Sequence, residues 1–298
     1  MSMPRYLVTG ANGQLGQLVI AELARRVSAE AVVALVRDPA ATSFPTGVGV
    51  RQGDYDRPET LDGAFAGIDR LLLISSSAVG GRVAQHRNVI EAAKRAGVSR
   101  IAYTSVLHAD TSSLELAEEH RQTETLIAAS GIAHTLLRNG WYTENYAASI
   151  PAALEHGAFV GSARDGRIAS AARADYAEAA AVALISDTAP RVIHELAGDT
   201  AYTLGDFAAE LSRQWGKTIP YVDLPEAEYR GALLGAGLPE TLATLFANSD
   251  ASAADGALFD EGRELSRLIG RPTTPFAAAI AVALTTARPA SPIQASLA

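Results

Sequence analysis

Apolar residues fall into short blocks punctuated by glycine and charge, and the blocks alternate between two periods along the first half of the chain. Tyr6 to Val8 is an apolar run that enters Gly10, Gly13 and Gly16, after which Leu15, Leu18, Val19 and Leu23 recur at helical spacing. Ala31 to Arg37, continuous and apolar until its charged end, reads as a strand buried on both faces. Val48 to Arg51 predicts a third strand, Leu61, Ala64 and Phe65 a short helix, and Arg70 to Ile74 a fourth strand. Arg82 to Ala96 is helical in period through Val83, Val89, Ile90 and Ala93, and Gly97 stops it as a C-cap would. A fifth strand (Arg100 to Ser105), a helix (Glu115 to Ser130, closed by Gly131) and a sixth strand (His134 to Arg138) complete the series.

Strict alternation predicts parallel strands joined by right-handed crossovers, with helices on both faces and a ligand at the carboxyl ends. From Pro151 the alternation breaks. Phe159 to Gly161 and Arg167 to Ser170 read as short strands, Ala174 to Ile185 as an alanine-rich helix, and Val192 to Ala197 as a late strand returning to the main sheet. Helices are predicted over Phe207 to Trp215, Glu226 to Leu234 and Leu238 to Asn248, with a strand at Ile219 to Val222. The small polar stretch Ser249 to Gly256 predicts a mobile loop. The fold class is α/β: a Rossmann-type doubly wound parallel sheet, residues 1–150, followed by a smaller mixed α/β substrate lobe, residues 151–298.

Composition narrows the function. With 48% apolar and 19% charged residues, the chain has the balance of a globular protein. A net charge of -8 argues against nucleic acid, whose binding rests on Lys and Arg at phosphates. Absence of cysteine excludes disulfides, thiolate nucleophiles and Cys-ligated metal. A first strand at Tyr6 leaves no room for a leader, and no apolar run reaches the roughly 18 residues of a membrane span. The expectation is a cytoplasmic protein that contacts neither membrane nor nucleic acid, with a homodimer left open.

The glycine turn carries the first chemistry. One glycine makes the tight turn, one lets the backbone approach a pyrophosphate, and one lets helix and strand pack closely, while the helix N-terminus offers N–H groups to phosphate. Glycines before a helix are common, so the second strand matters more. Arg37 stands 21 positions after Gly16, where arginine suits the 2′-phosphate of NADP; Asp38 beside it leaves NAD(H) open. A solvated charge closing a strand is the plain alternative for Arg37. Ser75, Ser76 and Ser77 form a rim able to approach the nicotinamide side, or simply a serine-rich loop. Asn139 to Tyr146 places aromatics and asparagines at a strand exit, as a wall beside a planar ligand or a cover for the sheet edge.

The expected catalysts are missing. No tyrosine has lysine four residues later, so the Tyr-x-x-x-Lys pair that runs ordinary alcohol dehydrogenation is absent. Six histidines show no metal-ligand spacing, and no metal is expected. His108 and His120 lie nearest the ligand edge, each read more readily as an ordinary histidine. No Gly-x-Ser-x-Gly occurs, and the catalytic group stays unknown.

Thr9 to Gly16, Leu35 to Pro39, Leu72 to Ser77, Ile101 to Ser105, Leu137 to Tyr146 and Leu268 to Thr274 together resemble the NmrA-like branch of atypical short-chain dehydrogenases. Within it the chain is similar to the type 2 NAD(P)H:quinone oxidoreductases. The resemblance implies NADP(H) held by Gly10, Ala11, Asn12, Gly13, Gln14, Leu15 and Arg37. It sets Ser76, Ser77 and the loop Gly140, Trp141, Tyr142, Thr143, Glu144 and Asn145 beside the nicotinamide, with Arg173 a further contact. Ala78 departs from an often acidic family position. The implied activity is hydride transfer from NADPH to a quinone stacked near Trp141 and Tyr142, which needs orientation more than a proton relay. Two alternatives stand: a non-catalytic NADP(H) sensor acting through a protein partner, and reduction of an aryl ether or enone, whose plant enzymes use lysine near the position of His120.

Overall fold

The computed structural model describes residues 3–187 and 191–287. In chain order the elements are β1 (Tyr6–Val8), α1 (Gln14–Arg26), β2 (Val32–Val36), β3 (Gly49–Gln52), α2 (Leu61–Phe65), β4 (Arg70–Leu73) and α3 (Arg82–Arg95). Then come β5 (Arg100–Val106), α4 (Ala117–Ala129), β6 (Ala133–Asn139), α5 (Thr143–Ala147), α6 (Ile150–His156), β7 (Phe159–Gly161) and α7 (Arg173–Ile185). The chain closes with β8 (Arg191–Leu196), α8 (Leu204–Trp215), β9 (Tyr221–Asp223), α9 (Glu226–Gly235), α10 (Glu240–Ala254), α11 (Glu264–Ile269) and α12 (Phe276–Ala287).

The first unit comprises the chain through Asn139 together with Arg173–Leu196 and Gly262–Arg271. Its parallel sheet has the order β3-β2-β1-β4-β5-β6-β8. β1 and β2 are buried along their whole lengths, as their unbroken apolar runs predict for central strands covered on both faces. The order reverses between β1 and β4. At such a switch point the loops leaving neighbouring strands diverge, which opens a crevice at the carboxyl ends. Leu15, Val19, Ile20 and Leu23 bury one face of α1, and α1 packs against α7, whose alanines let the helices approach closely. Leu7, Val33, Leu71, Ile101 and Leu136 from five strands meet Phe65, Val89 and Ile127 in the core.

The late strand returns to the main sheet as the pattern predicts, and the first unit takes in α7 and α11 with it, beyond the predicted boundary near residue 150. β8 pairs in parallel with β6 from His134↔Arg191 to Asn139↔Leu196, and α11 returns to pack on α7 and β8. The second unit, Gly140–Ala172, Ala197–Glu261 and the chain from Pro272, has a two-stranded parallel sheet, β7 with β9. Its core is aromatic: Phe207 lies 5.0 Å from Phe159, and Tyr202 4.2 Å from Phe276, between ring centroids.

Two predicted elements of this unit are overturned. Arg167 to Ser170 is not a strand of a sheet; it makes only an isolated bridge, Ile168 with Tyr202. Its buried apolar residues mimic a strand, but successive N–H groups donate to different segments, Ile168 to Tyr202, Ala169 to Leu258 and Ala171 to Trp141. Nor do the small polar residues Ser249 to Gly256 form a mobile loop. Helix α10 runs through Ala254, with Ser249, Asp250, Ser252 and Ala253 all buried. The segment packs tightly: a Cβ on Gly166 would stand 2.3 Å from the Ala253 carbonyl oxygen, so residue 166 has room only for glycine.

Candidate functional site

A cleft of about 460 Å³ lies in the first unit along the carboxyl ends of β1, β2, β3 and β4. Gly10 to Gly13 follow β1, Arg37 and Asp38 follow β2, Gly53 to Asp56 follow β3, and Ile74 to Ala78 follow β4. It therefore sits at the switch point that the sheet order creates.

The glycine turn forms the floor. Gly10 has φ +59, a conformation that an L side chain rarely adopts, and the Gly13 N–H donates to the Gly10 carbonyl at 2.9 Å. Gly16 has no space for a side chain: a Cβ would lie 2.3 Å from Gly10 O and 2.7 Å from Ala11 Cα, both backbone. Gly13 is the N-cap of α1 and provides no side-chain cap, so the helix start presents N–H groups and the positive end of its dipole to the cleft. This is a cradle for phosphate, and the residues present fit a dinucleotide.

At the end of β2, Arg37 is exposed, and its carbonyl is held by the Gln52 amide at 3.0 Å. Asp38 accepts the Ala40 N–H at 2.9 Å, so one carboxylate oxygen is engaged in turning the chain. On the β4 side, the Ile74 N–H donates to Thr9 Oγ1 at 3.0 Å and the Ser75 N–H to Thr104 Oγ1 at 2.8 Å. Tyr55 Oη lies near Thr9 and Gly10, and Ser75 Oγ near Tyr103, each buried without a well-aligned hydrogen bond. Burial pushes the Tyr55 phenol well up, so it stays a neutral donor.

Of the predicted cofactor residues, Gly10, Ala11, Asn12, Gly13, Arg37, Ser76 and Ser77 line this cleft. Gln14 is exposed at the start of α1, whereas the Leu15 side chain turns into the core, leaving only backbone for a ligand. Gly140 to Asn145 belong to the second unit. There Trp141 is 8% exposed, edge-on to Phe246 at 6.1 Å, and Thr143 shares a 2.8 Å hydrogen bond with Ser170. Tyr142, Glu144 and Asn145 are half-buried, as is Arg173 at the start of α7 in the first unit. Sequence reasoning missed Asp56 and Gln85, which also line the cleft. The helical spacing of Arg82, Gln85 and His86 was the available signal.

His120 and His108 are both tied into the fold. His120 is buried with Nδ1 2.7 Å from Tyr103 Oη, and burial together with the nearby Arg82 charge pushes its pKa well down. His108 has a left-handed φ of 51, and its N–H donates to Glu195 at 2.8 Å. Beside it, Arg138 is buried between Glu124 (2.8 Å), Glu195 (2.8 Å) and Asp110 (3.0 Å), an ion network that locks the ends of β6 and β8.

Comparison with known proteins agrees with this geometry. The NAD(P)H-binding family matches residues 10–187, beginning at the first glycine of the cradle. Quinone oxidoreductase 2 of Escherichia coli (strain K12) is 55% identical over 275 residues, 92% of this chain and 96% of its own. The crystal structure of an NADPH-dependent quinone oxidoreductase from E. coli complexed with NADPH superposes with a TM-score of 0.89 at 54% identity, covering 94% of this chain and 99% of that one. The triphenylmethane reductase of Citrobacter sp., complexed with NADP(H), gives 0.87 at 35% identity over 94% of this chain and 99% of its own. Among the described residues no helix is long and apolar enough to cross a membrane. With its glycine cradle at the switch point and a family match over more than half of its length, the chain belongs to the NAD(P)H-binding family.

Proposed function

We propose that this protein is an NADPH-dependent quinone oxidoreductase. The similarity to the E. coli quinone oxidoreductase along almost the whole of both chains carries the reading. Bound NADPH supplies a hydride. The backbone from Gly10 to Gly13 and the start of α1 hold its pyrophosphate, and Arg37 recognises the 2′-phosphate, which sets NADPH above NADH. A quinone accepts hydride at one carbonyl system and becomes a hydroquinone anion, and water supplies the second hydrogen as a proton. No side-chain acid is needed, in keeping with the missing Tyr-x-x-x-Lys. Family resemblance supports the further assignment of Gly140 to Asn145 and Arg173 to the cofactor's nicotinamide end.

Titration of NADPH and NADH against wild type and Arg37→Ala tests the cofactor half. NADPH affinity should fall at least about tenfold in Arg37→Ala, as expected for loss of a charge-assisted bond to phosphate, while NADH barely changes. Equal losses would remove Arg37 from phosphate recognition. The same titrations on Tyr142→Ala and Arg173→Ala test the remaining assignments, which unchanged affinity and turnover would refute. For the substrate half, NADPH oxidation is followed with several quinones. Binding of NADPH with no turnover of any quinone above background would sink the reductase reading and leave the non-catalytic sensor.

A further inference from the structure

Three polar side chains on one face of α3, Arg82, Gln85 and His86, converge on a single residue of the cleft, Ser76. Spacings of three and four residues bring them onto the same side of a helix. Arg82 Nε donates to the Ser76 carbonyl at 2.7 Å. The Ser76 hydroxyl donates to Gln85 Oε1 and accepts the Ala78 N–H at 3.1 Å. The Ser76 N–H donates to His86 Nε2 at 3.0 Å. Every polar group of Ser76 is thus committed to a partner.

The ring of His86 is wholly buried, and its surroundings fix its tautomer. Nε2 faces a backbone N–H, which can only donate, so Nε2 carries no proton. The proton of the neutral ring sits on Nδ1, which donates to Thr123 Oγ1 at 3.0 Å; that hydroxyl in turn donates to the Glu119 carbonyl at 2.9 Å. Protonation would set two N–H groups against each other. Burial and the Arg82 charge hold the pKa down to about 3, so the ring stays neutral. The groups around it are Arg82 from α3, Glu119 from α4, which pairs with Arg82 at 3.3 Å, Tyr103 from β5 and His120 from α4.

The same face reaches the opposite wall of the cleft. Gln85 Nε2 donates to both carboxylate oxygens of Asp56, at 3.0 and 2.9 Å, while Asn88 donates to the Tyr55 carbonyl at 2.8 Å. Gln85 therefore ties the turn after β3 to the loop after β4.

We infer that His86 is a positioning residue of the cofactor cleft: a neutral hydrogen-bond acceptor of fixed tautomer that, with Arg82 and Gln85, holds Ser76 and Asp56 in place for NADPH. This rests on the cofactor half of the proposed function and not on the quinone.

Two measurements on the full chain test it. Long-range ¹H–¹⁵N spectra of the histidine rings, with His86 assigned by its loss in His86→Gln, should show a neutral Nδ1–H ring unchanged from about pH 8 to about pH 5. An Nε2–H tautomer, or titration within that range, would overturn the inference. NADPH binding is then measured without quinone. His86→Phe keeps a ring but leaves the Ser76 N–H without an acceptor, and should bind NADPH about tenfold more weakly. His86→Gln can offer Oε1 to the same N–H and should stay within about threefold of wild type. Wild-type affinity in a folded Phe variant, or a folded Gln variant that binds no better than the Phe variant, would overturn it as well. If His86→Phe does not fold, the ring tautomer and the Gln variant's affinity decide: a Gln variant about tenfold weaker than wild type then counts against it. A protein that passes both tests yet reduces no quinone refutes the reductase reading alone.

Discussion

Gly16 shows how much one position can require. A Cβ there meets only backbone, which cannot swing aside as a flexible side-chain end can. Gly16→Ala must push α1 away from β1 and distort the cradle. It is expected to abolish measurable NADPH binding and to lower stability by about 1–3 kcal/mol, the cost of overpacking, read by urea unfolding and fluorescence titration. A variant with native affinity would mean that the turn relaxes freely. The glycine turn and the place of Arg37 at the cleft were legible in the sequence because both are set by short spacings along the chain, from β1 into α1 and from there to the end of β2. Gln85 was not legible: its importance comes from Asp56 and Ser76, 29 and 9 residues away, which only the folded sheet brings to its side chain.

Among the elements, α10 departs most from its sequence pattern. Ser249 to Gly256 carry the composition of a loop, yet α10 runs through Ala254 because Ser249, Asp250, Ser252 and Ala253 are buried, and the Ser249 hydroxyl finds its partner inside the helix, the Leu245 carbonyl at 2.7 Å. Its Asp250 is buried, accepting the Tyr146 hydroxyl at 3.2 Å and the Ser162 N–H at 3.1 Å. Burial pushes its pKa up from 3.8 to about 7 against the lowering effect of those bonds, with Asp223 adding repulsion. In this raised case the native state holds a proton that the unfolded chain has released. Its contribution is therefore most stabilising below about pH 4 and is lost as pH rises toward about 7. The depressed pKa of His86 works in the opposite sense, its stabilisation present above the ordinary histidine value of 6.5 and lost as pH falls toward about 3. Asp250→Asn isolates the carboxylate. Relative to wild type, its Tm should gain on the order of 5 °C on going from about pH 4.5 to about pH 8. A difference between variant and wild type that does not change with pH would show that Asp250 has no raised pKa.

For the whole molecule, the placement of charge and of titratable groups bears on the reaction. Among the described residues lining the cleft there is no histidine or lysine, and His86 and His120 are neutral at physiological pH. Quinone turnover at saturating NADPH should accordingly vary by less than about twofold between about pH 6 and pH 8. An inflection near 6.5 that persists in Asp250→Asn would put a histidine in the proton path.

Local pattern was enough for the run of strands and helices through β6, for the glycine cradle and for the place of Arg37 at the end of β2. Hydrophobic period, glycine geometry and spacing are properties of neighbouring residues, and they survive into the fold unchanged. The fold settled that β8, whose return to the sheet the pattern predicts, lies beside β6, that Ser249 to Ala254 stay helical, and that Arg82, Gln85 and His86 converge on Ser76. Each of these depends on burial and hydrogen bonding between segments far apart in the chain. Only the order of the strands brings such segments together.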